Sequence, residues 1–281
     1  MPRLSCNQLS TFRWSLDEDL YHYRKAGFET IGLWRRKLVD FGVERGLELL
    51  QESGLRVCSL NWAGGFTGID GRSFEESVRD ACDAVRLADE ANAENLVLYA
   101  GGRNGHTTRH AERLLASALD TLLPLAEAMG VTLALKPMHP ACSAEWSFIN
   151  CIQEAATLVR GYDSPRLRLT YDNYQFPLTE QALSDLGAIA PLIGLVQLAD
   201  TRTPHGIDLD RCPLGEGALP VADTIRTLIA AGYTGCFDAE ILGPSVEALE
   251  YDDLLARTRT AYDQMLVRAD SPTPLAAPNR A

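Results

Sequence analysis

Short apolar segments alternate with longer amphipathic segments along most of the chain. The short segments are rich in apolar and β-branched residues, as expected of strands covered on both faces of a parallel sheet. The longer ones have apolar positions at the spacing of helices with one buried face. The pattern predicts strands at residues 4–7, 30–33, 56–60, 95–99, 132–136, 168–172, 193–198 and 236–240. It predicts helices that include residues 16–26, 43–53, 74–91, 111–129, 182–189 and 221–231.

Four of the predicted helices end in the same local signal, a glycine followed by an apolar residue. Gly27, Gly54, Gly130 and Gly232 each stand just past the last predicted turn. Glycine readily adopts the left-handed conformation that closes a helix, and the apolar residue after it leads into a buried segment. The repetition indicates a series of strand–helix units of one kind.

Eight such units in a chain of 281 residues predict a single (β/α)₈ TIM barrel, an α/β fold, over residues 1–268. Two doubly wound domains are the alternative for this length, but neither the glycine-rich dinucleotide fingerprint nor the P-loop signature follows a predicted strand. Residues 269–281 contain several prolines and are predicted to form a flexible tail.

Charge and composition narrow the class of partner. The chain has 26 Lys and Arg residues against 38 Asp and Glu residues, a net charge of −12, which disfavours binding to nucleic acid. No apolar run reaches transmembrane length and the N-terminus has no secretory pattern, so we expect a cytoplasmic protein without membrane contact. A small-molecule substrate is the expected partner. The sequence leaves the oligomeric state open, and a homo-oligomer is one of the states it allows.

Polar and aromatic side chains follow the predicted strands. In TIM barrels the active site lies at the carboxyl ends of the strands and in the loops after them. We therefore expect these side chains to converge over one barrel mouth. They are Trp62, Lys136, His139, Asp172, Tyr174, Gln175, Gln197 and Glu240.

Several of these strand-end segments resemble those of the sugar phosphate isomerase/epimerase family, within the xylose isomerase-like TIM barrel superfamily. That superfamily includes endonuclease IV, inosose dehydratase, hydroxypyruvate isomerase and ketose 3-epimerases. The resemblance implies a TIM barrel enzyme, an isomerase, epimerase or dehydratase, that acts on a small carbonyl or polyhydroxy compound. The similar segments are 26–34, 135–140, 171–175, 196–200, 215–217 and 239–241, and the similarity extends to about residue 266.

The resemblance also implies a set of metal-ligand positions, which this chain matches only in part. Family members typically bind a divalent cation through Glu, Asp, His and Glu at the ends of strands five to eight. Asp172 and Glu240 match two positions, whereas Lys136 and Gln197 replace the strand-five Glu and the strand-seven His. An ammonium has no lone pair and repels a cation. We predict no metal and no other cofactor; the alternative is a divalent metal held by Asp172, Glu240 and a group such as His139.

The predicted chemistry is proton abstraction next to a carbonyl group. Lys136 would stabilise the developing enolate oxygen, while Asp172 and Glu240 would move the proton, with His139 as a third titrating group. The alternative is a catalytically silent barrel that binds a metabolite or a protein partner, in which the three charged residues only form a buried cluster. The candidate substrate-binding residues are Trp62, His106, Tyr174, Gln175, Gln197, Arg202 and Glu216.

Overall fold

Eight parallel strands form a closed barrel in chain order, with the first strand also paired to the last. This computed structural model describes residues 3–142, 144–177, 180–203 and 210–269. The prediction of a single (β/α)₈ barrel is confirmed. The strands are β1 (Arg3–Asn7), β2 (Thr30–Trp34), β3 (Arg56–Gly64), β4 (Asn95–Tyr99), β5 (Thr132–Leu135), β6 (Leu167–Asp172), β7 (Ile193–Leu198) and β8 (Cys236–Ala239).

Helices connect the strands around the outside of the barrel. They are α1 (Leu16–Lys25), α2 (Arg35–Phe41), α3 (Val43–Ser53), α4 (Phe74–Glu90), α5 (Thr108–Met129), α6 (Ile152–Tyr162), α7 (Glu180–Ile189), α8 (Val221–Ala230), α9 (Pro244–Glu247) and α10 (Tyr251–Ala269). All the helices that the sequence predicted are present. Within the described ranges, none of the helices combines the length and the apolar character needed to span a membrane. Residues 270–281 of the predicted tail lie outside the described residues.

Local sequence signals set several helix ends. Gly54 directly follows α3 and Gly130 directly follows α5, and both glycines are left-handed, with φ of +69° and +74°. α4 begins after Ser73, whose hydroxyl accepts a hydrogen bond from the N–H of Glu76. The Glu76 carboxylate in turn accepts from the N–H of Ser73. α3 and α5 therefore end, and α4 begins, at the residues predicted from the sequence.

β3 extends four residues beyond its predicted end at Leu60. It continues through Gly64, which pairs with Tyr99 of β4. A side chain at Gly64 would place its Cβ 1.9 Å from the carbonyl oxygen of Tyr99, and its φ is +128°. Glycine therefore permits the close approach of the two strands. The extension carries Asn61 and Trp62 to the barrel mouth.

A carboxyl group is buried inside the barrel on β8. Asp238 is fully buried and accepts a hydrogen bond of 2.7 Å from Nδ2 of Asn7. Its other oxygen, Oδ1, has no hydrogen-bond partner in the described part of the chain. A Cβ at Gly32 would lie 2.5 Å from Oδ2, so this glycine makes room for the carboxyl group. Burial raises the pKa of Asp238 to about 6.

Candidate active site at the barrel mouth

Lys136 lies between two carboxylates at the carboxyl end of the barrel. Its Nζ is 2.9 Å from Oδ2 of Asp172 and 3.1 Å from Oε1 of Glu240. Asp172 ends β6, whereas Lys136 and Glu240 directly follow β5 and β8, which end one residue earlier than predicted. The side chains of all three are at most 4% exposed. The structure thus brings together the three residues that sequence analysis placed at the centre of the site.

Arg211 is a second cation in this cluster, and sequence analysis missed it. Its Nη2 is 3.0 Å from Oδ2 of Asp172 and 3.3 Å from Oε1 of Glu240. Its Nη1 donates to the backbone oxygen of Glu240 at 2.9 Å. Arg211 lies in the segment between β7 and α8, where the next residue, Cys212, forms a backbone bridge with Asp200. Arg211 does not lie at the end of a strand, so the strand pattern could not identify it. The one available indication was that two buried carboxylates require enough positive charge to balance them.

Gln197 completes the cluster with a neutral amide. It is fully buried near the end of β7, and its Nε2 donates to Oε2 of Glu240. Its Oε1 has no hydrogen-bond partner among the described residues. A buried acceptor that lacks a donor is costly, so this oxygen is suited to receive a hydroxyl hydrogen from a ligand.

The protonation states in the cluster follow from its charges. Burial alone would lower the pKa of Lys136, but the carboxylates of Asp172 and Glu240 outweigh it and raise this pKa above its ordinary value. Burial alone would raise the pKa of Asp172, but Arg211 and Lys136 hold it at about 2. At neutral pH Lys136 is therefore an ammonium ion, which donates hydrogen bonds and cannot act as a base or form a Schiff base.

An aromatic wall, formed by Trp62, Tyr99 and Trp146, borders the cluster. The ring centroids lie 5.8 Å apart for Trp62 and Tyr99 and 5.3 Å apart for Trp62 and Trp146. The Tyr99 ring centroid is 5.8 Å from Nζ of Lys136, and burial raises the pKa of Tyr99 to about 12. The wall places the predicted residue Trp62 beside the charged cluster, and it offers an apolar surface to a ligand.

Tyr174, His139 and Gln175 lie in the segments that follow β5 and β6. The Tyr174 ring centroid is 4.6 Å from Cζ of Arg211, a cation–π contact. Gln175 is buried, and its Oε1 accepts from the N–H of His139 at 2.8 Å. His139 and Gln175 both line a cavity of about 350 Å³ with Phe176 and neighbouring apolar side chains. Tyr174 thus contacts the charged cluster, whereas His139 and Gln175 line a cavity whose lining does not include Lys136 or Arg211.

The remaining predicted binding residues have other partners. Nε2 of His106 is 3.2 Å from the backbone oxygen of Thr67. Arg202 and Glu216 form an ion pair of 3.0 Å with each other, and the Arg202 side chain is 58% exposed. Within the described ranges, none of the three forms a hydrogen bond or ion pair with the charged cluster. Glu216 also pairs with Arg257 of α10 at 3.2 Å. A place in the loop after a strand therefore did not bring these three side chains into contact with the cluster.

The cluster does not provide the ligands that a divalent metal requires. Oδ1 of Asp172 accepts from the N–H of Tyr174, and its Oδ2 faces Lys136 and Arg211. Oε1 of Glu240 faces the same two cations, and its Oε2 accepts from the amide of Gln197. The described part of the chain contains no group of three acidic, histidine or cysteine side chains placed to hold a metal. A metal site of the kind implied by the family resemblance therefore does not fit these residues.

Comparisons with known proteins agree with the resemblance in the strand-end segments. The sequence model of the xylose isomerase-like TIM barrel family matches residues 20–261. Inosose isomerase from Halalkalibacterium halodurans is 24% identical over 273 residues, which cover 93% of this chain and 94% of that protein. Its isomerase activity is of the class predicted from the sequence.

Solved structures share the fold over nearly the whole chain. Protein SMc04130 from Sinorhizobium meliloti 1021 superposes with a TM-score of 0.86 at 24% identity, covering 93% of this chain and 98% of that one. The IOLI protein, solved with a zinc atom bound, superposes with a TM-score of 0.83 at 18% identity, covering 96% of this chain and 100% of that one. The chain belongs to the xylose isomerase-like TIM barrel family.

Proposed function

We propose that the protein is an isomerase or epimerase that moves a proton next to the carbonyl group of a small polyhydroxy compound without a metal. Membership of the family and the activity of the inosose isomerase relative support the enzyme class. One observation carries the mechanism: the ammonium group of Lys136 lies between Asp172 and Glu240, the two residues that match metal-ligand positions in the family resemblance. A dehydratase would begin with the same proton abstraction.

Lys136 is suited to stabilise the charge that proton abstraction creates. Breaking the C–H bond places its electron pair in a new C=C bond and leaves negative charge on the former carbonyl oxygen. An ammonium has three N–H donors, and the contacts with Asp172 and Glu240 leave one of them for this oxygen. A charge-assisted hydrogen bond in a buried site is strong and requires little reorganisation.

Glu240 is the proton acceptor in this proposal. Asp172 is a weak base because Arg211 and Lys136 hold its pKa at about 2, so its role is to position the two cations. Oε2 of Glu240 accepts only from the neutral amide of Gln197 among the described residues, so this oxygen can take up the proton. Return of the proton to the opposite face of the same carbon completes an epimerisation. In an isomerisation the proton goes to the former carbonyl carbon, and the hydroxyl proton on the carbon that lost it moves to the former carbonyl oxygen.

A catalytically silent binding protein is the second candidate, and the internal pairing of the cluster favours it. All four carboxylate oxygens of Asp172 and Glu240 have protein donors. The charged side chains are at most 4% exposed, so groups that cover the cluster must move before a substrate can reach Lys136. A cluster of this kind can persist in a fold without catalysis.

Deuterium exchange tests the proposal directly, because it reports proton abstraction whatever product is formed. Inosose, ketopentoses and ketohexoses are incubated with the full chain in D₂O, and loss of the proton next to the carbonyl is followed by NMR. We expect exchange that survives dialysis against EDTA. Lys136→Met should slow it by about 10²–10³-fold, as expected for a lost oxyanion donor, and Glu240→Gln should abolish it.

The matched control is Lys37→Met, which alters a buried lysine that pairs with Asp19 instead of the cluster. This variant should retain exchange. Full exchange in Lys136→Met or Glu240→Gln would overturn the mechanism, and loss with EDTA that added Mn²⁺ or Zn²⁺ restores would overturn metal independence. Compounds that bind without exchange would favour the silent barrel.

A further inference from the structure

The outward face of α1 carries charges that are arranged symmetrically around a tyrosine. Two exposed acidic residues, Asp17 and Glu18, stand at its start, and two exposed basic residues, Arg24 and Lys25, stand at its end. Tyr21, midway between the two pairs, is 65% exposed. Residues three and four positions apart lie on the same face of a helix, so these five side chains form one continuous strip. We call them the α1 stripe.

Most charges of the α1 stripe have no partner of opposite sign within the protein. Both of its carboxylates accept hydrogen bonds from Ser15, and neither forms an ion pair in the described part of the chain. Arg24 likewise forms no ion pair with any described residue. Lys25 is 59% exposed and lies 4.0 Å from Asp252 of α10. The two acidic groups and Arg24 are therefore available to a partner from outside the chain.

A groove beside Tyr21 indicates that this face is covered. An acidic first turn and a basic last turn stabilise any helix, so the charges alone do not indicate a partner. The groove lies between α1 and α3, has a volume of about 580 Å³, and includes Leu20 and Leu49. Its lining also includes Glu52, which lies 3.7 Å from Arg45 of its own helix. A groove of this volume can receive an aromatic side chain, and exposed tyrosines are enriched in protein interfaces.

A second copy of the chain is complementary to the α1 stripe. Antiparallel packing of two α1 helices around a twofold axis at Tyr21 places the start of each helix against the end of the other. Asp17 and Arg24 are seven residues apart, almost two full turns, so they share one edge of the stripe. Glu18 and Lys25 share the other edge for the same reason. Each edge therefore brings an acidic side chain of one copy to a basic side chain of the other.

We propose that the protein forms a twofold-symmetric dimer through α1, with the Tyr21 ring of each copy in the groove between α1 and α3 of the other. Exposed ion pairs contribute little individually, so Tyr21 and the apolar groove supply most of the affinity. The charges fix the antiparallel orientation, because parallel packing would place like charges together. This inference does not depend on the proposed reaction.

Sedimentation equilibrium of the full chain measures the association directly. We expect a monomer–dimer equilibrium at micromolar concentrations. Tyr21→Ala should weaken it by about tenfold or more, as expected for an aromatic side chain at the centre of an interface. The control is Arg109→Glu, which reverses an exposed arginine of α5 that forms no ion pair with a described residue. This variant should associate as the wild type does.

Charge exchange tests the orientation of the two helices. Asp17→Arg alone and Arg24→Glu alone should each weaken association by roughly tenfold, because like charges then meet along one edge. The double variant exchanges the two charges, and it should associate within about threefold of the wild type. A general disturbance of the fold cannot produce this recovery. Urea unfolding of each variant verifies that it is folded.

Three results would overturn the inference. They are a wild-type protein that stays monomeric up to about 200 μM, a dimer whose affinity neither Tyr21→Ala nor the single charge reversals change, and a double variant that associates as weakly as the single ones. Deuterium exchange by a monomeric protein would overturn the dimer and leave the proposed reaction intact. A dimer that behaves as expected but exchanges no proton would overturn the reaction alone.

Discussion

Replacing Lys136 with methionine tests whether the ammonium holds the mouth of the barrel together. Methionine is unbranched and fills irregular space well, so the main change is loss of one buried charge. The variant leaves the carboxylates of Asp172 and Glu240 with Arg211 as their one remaining cation within 4 Å among the described residues. Removing one partner from a buried ion pair typically costs about 3–5 kcal/mol. We expect the free energy of unfolding at pH 7.5 to fall by this amount.

The destabilisation caused by Lys136→Met should become smaller as the pH falls. The folded protein holds the pKa of Asp172 at about 2, below its ordinary 3.8. The resulting stability, about 2 kcal/mol, is complete above roughly pH 4 and is lost as the pH falls toward 2. In Lys136→Met the buried carboxyl loses one of its cations, so its pKa rises. The stability difference between the two proteins should therefore narrow as the pH falls through that raised pKa.

Urea unfolding at pH 7.5 and pH 4.5, followed by tryptophan fluorescence, measures both effects. Lys37→Met is the matched control, since Lys37 is 7% exposed and pairs with Asp19 at 2.6 Å. It should lose stability while retaining deuterium exchange. A free energy of unfolding of Lys136→Met within about 1 kcal/mol of the wild-type value at pH 7.5 would refute the reasoning. A buried carboxylate without a balancing cation destabilises a protein by more than this.

Three further substitutions, one of them a control, test the barrel itself. Burial raises the pKa of Asp238 from 3.8 to about 6. The free energy of unfolding of the wild type should therefore fall by about 3 kcal/mol as the pH rises from 4 to 7. Urea unfolding of Asp238→Asn should not show this pH dependence. Equal slopes would contradict the burial argument. Gly64→Ala should cost more than about 2 kcal/mol because its Cβ would meet the Tyr99 carbonyl, whereas Gly161→Ala in α6, with open space around the new Cβ, should be neutral or stabilising by up to about 1 kcal/mol. Equal stability of these two glycine variants would disprove the close-approach explanation for β3.

The barrel was predictable because the same local pattern repeats. β4, β7 and α3 have the predicted bounds, since apolar periodicity and flanking turn residues mark both of their ends. Lys136, Asp172 and Glu240 meet because parallel strands in a barrel deliver their carboxyl ends to one mouth. The centre of the candidate site therefore follows from strand order, independently of how the side chains pack.

Arg211 and the cavity between Trp34 and Trp62 were not predictable in this way. The position of Arg211 depends on backbone pairing between Asp200 and Cys212, a contact within an irregular segment that has no periodic signal. The cavity requires β3 to continue through Gly64, where asparagine and glycine interrupt the strand pattern. It also requires α2, a short helix that the periodicity did not predict. Both features depend on contacts between separate segments of the chain, which the periodicity of single segments does not encode.

The cation at the centre of the mouth is covalently part of the chain. A bound metal is present only in the fraction of molecules set by its concentration and affinity, and a wrong ion can replace it. The ammonium of Lys136 cannot dissociate from the protein, and its raised pKa keeps it protonated, so at neutral pH every folded molecule carries one charge of one kind between Asp172 and Glu240. The ammonium group is present in every chain that the ribosome makes, and neither a chelator nor a competing ion can remove it.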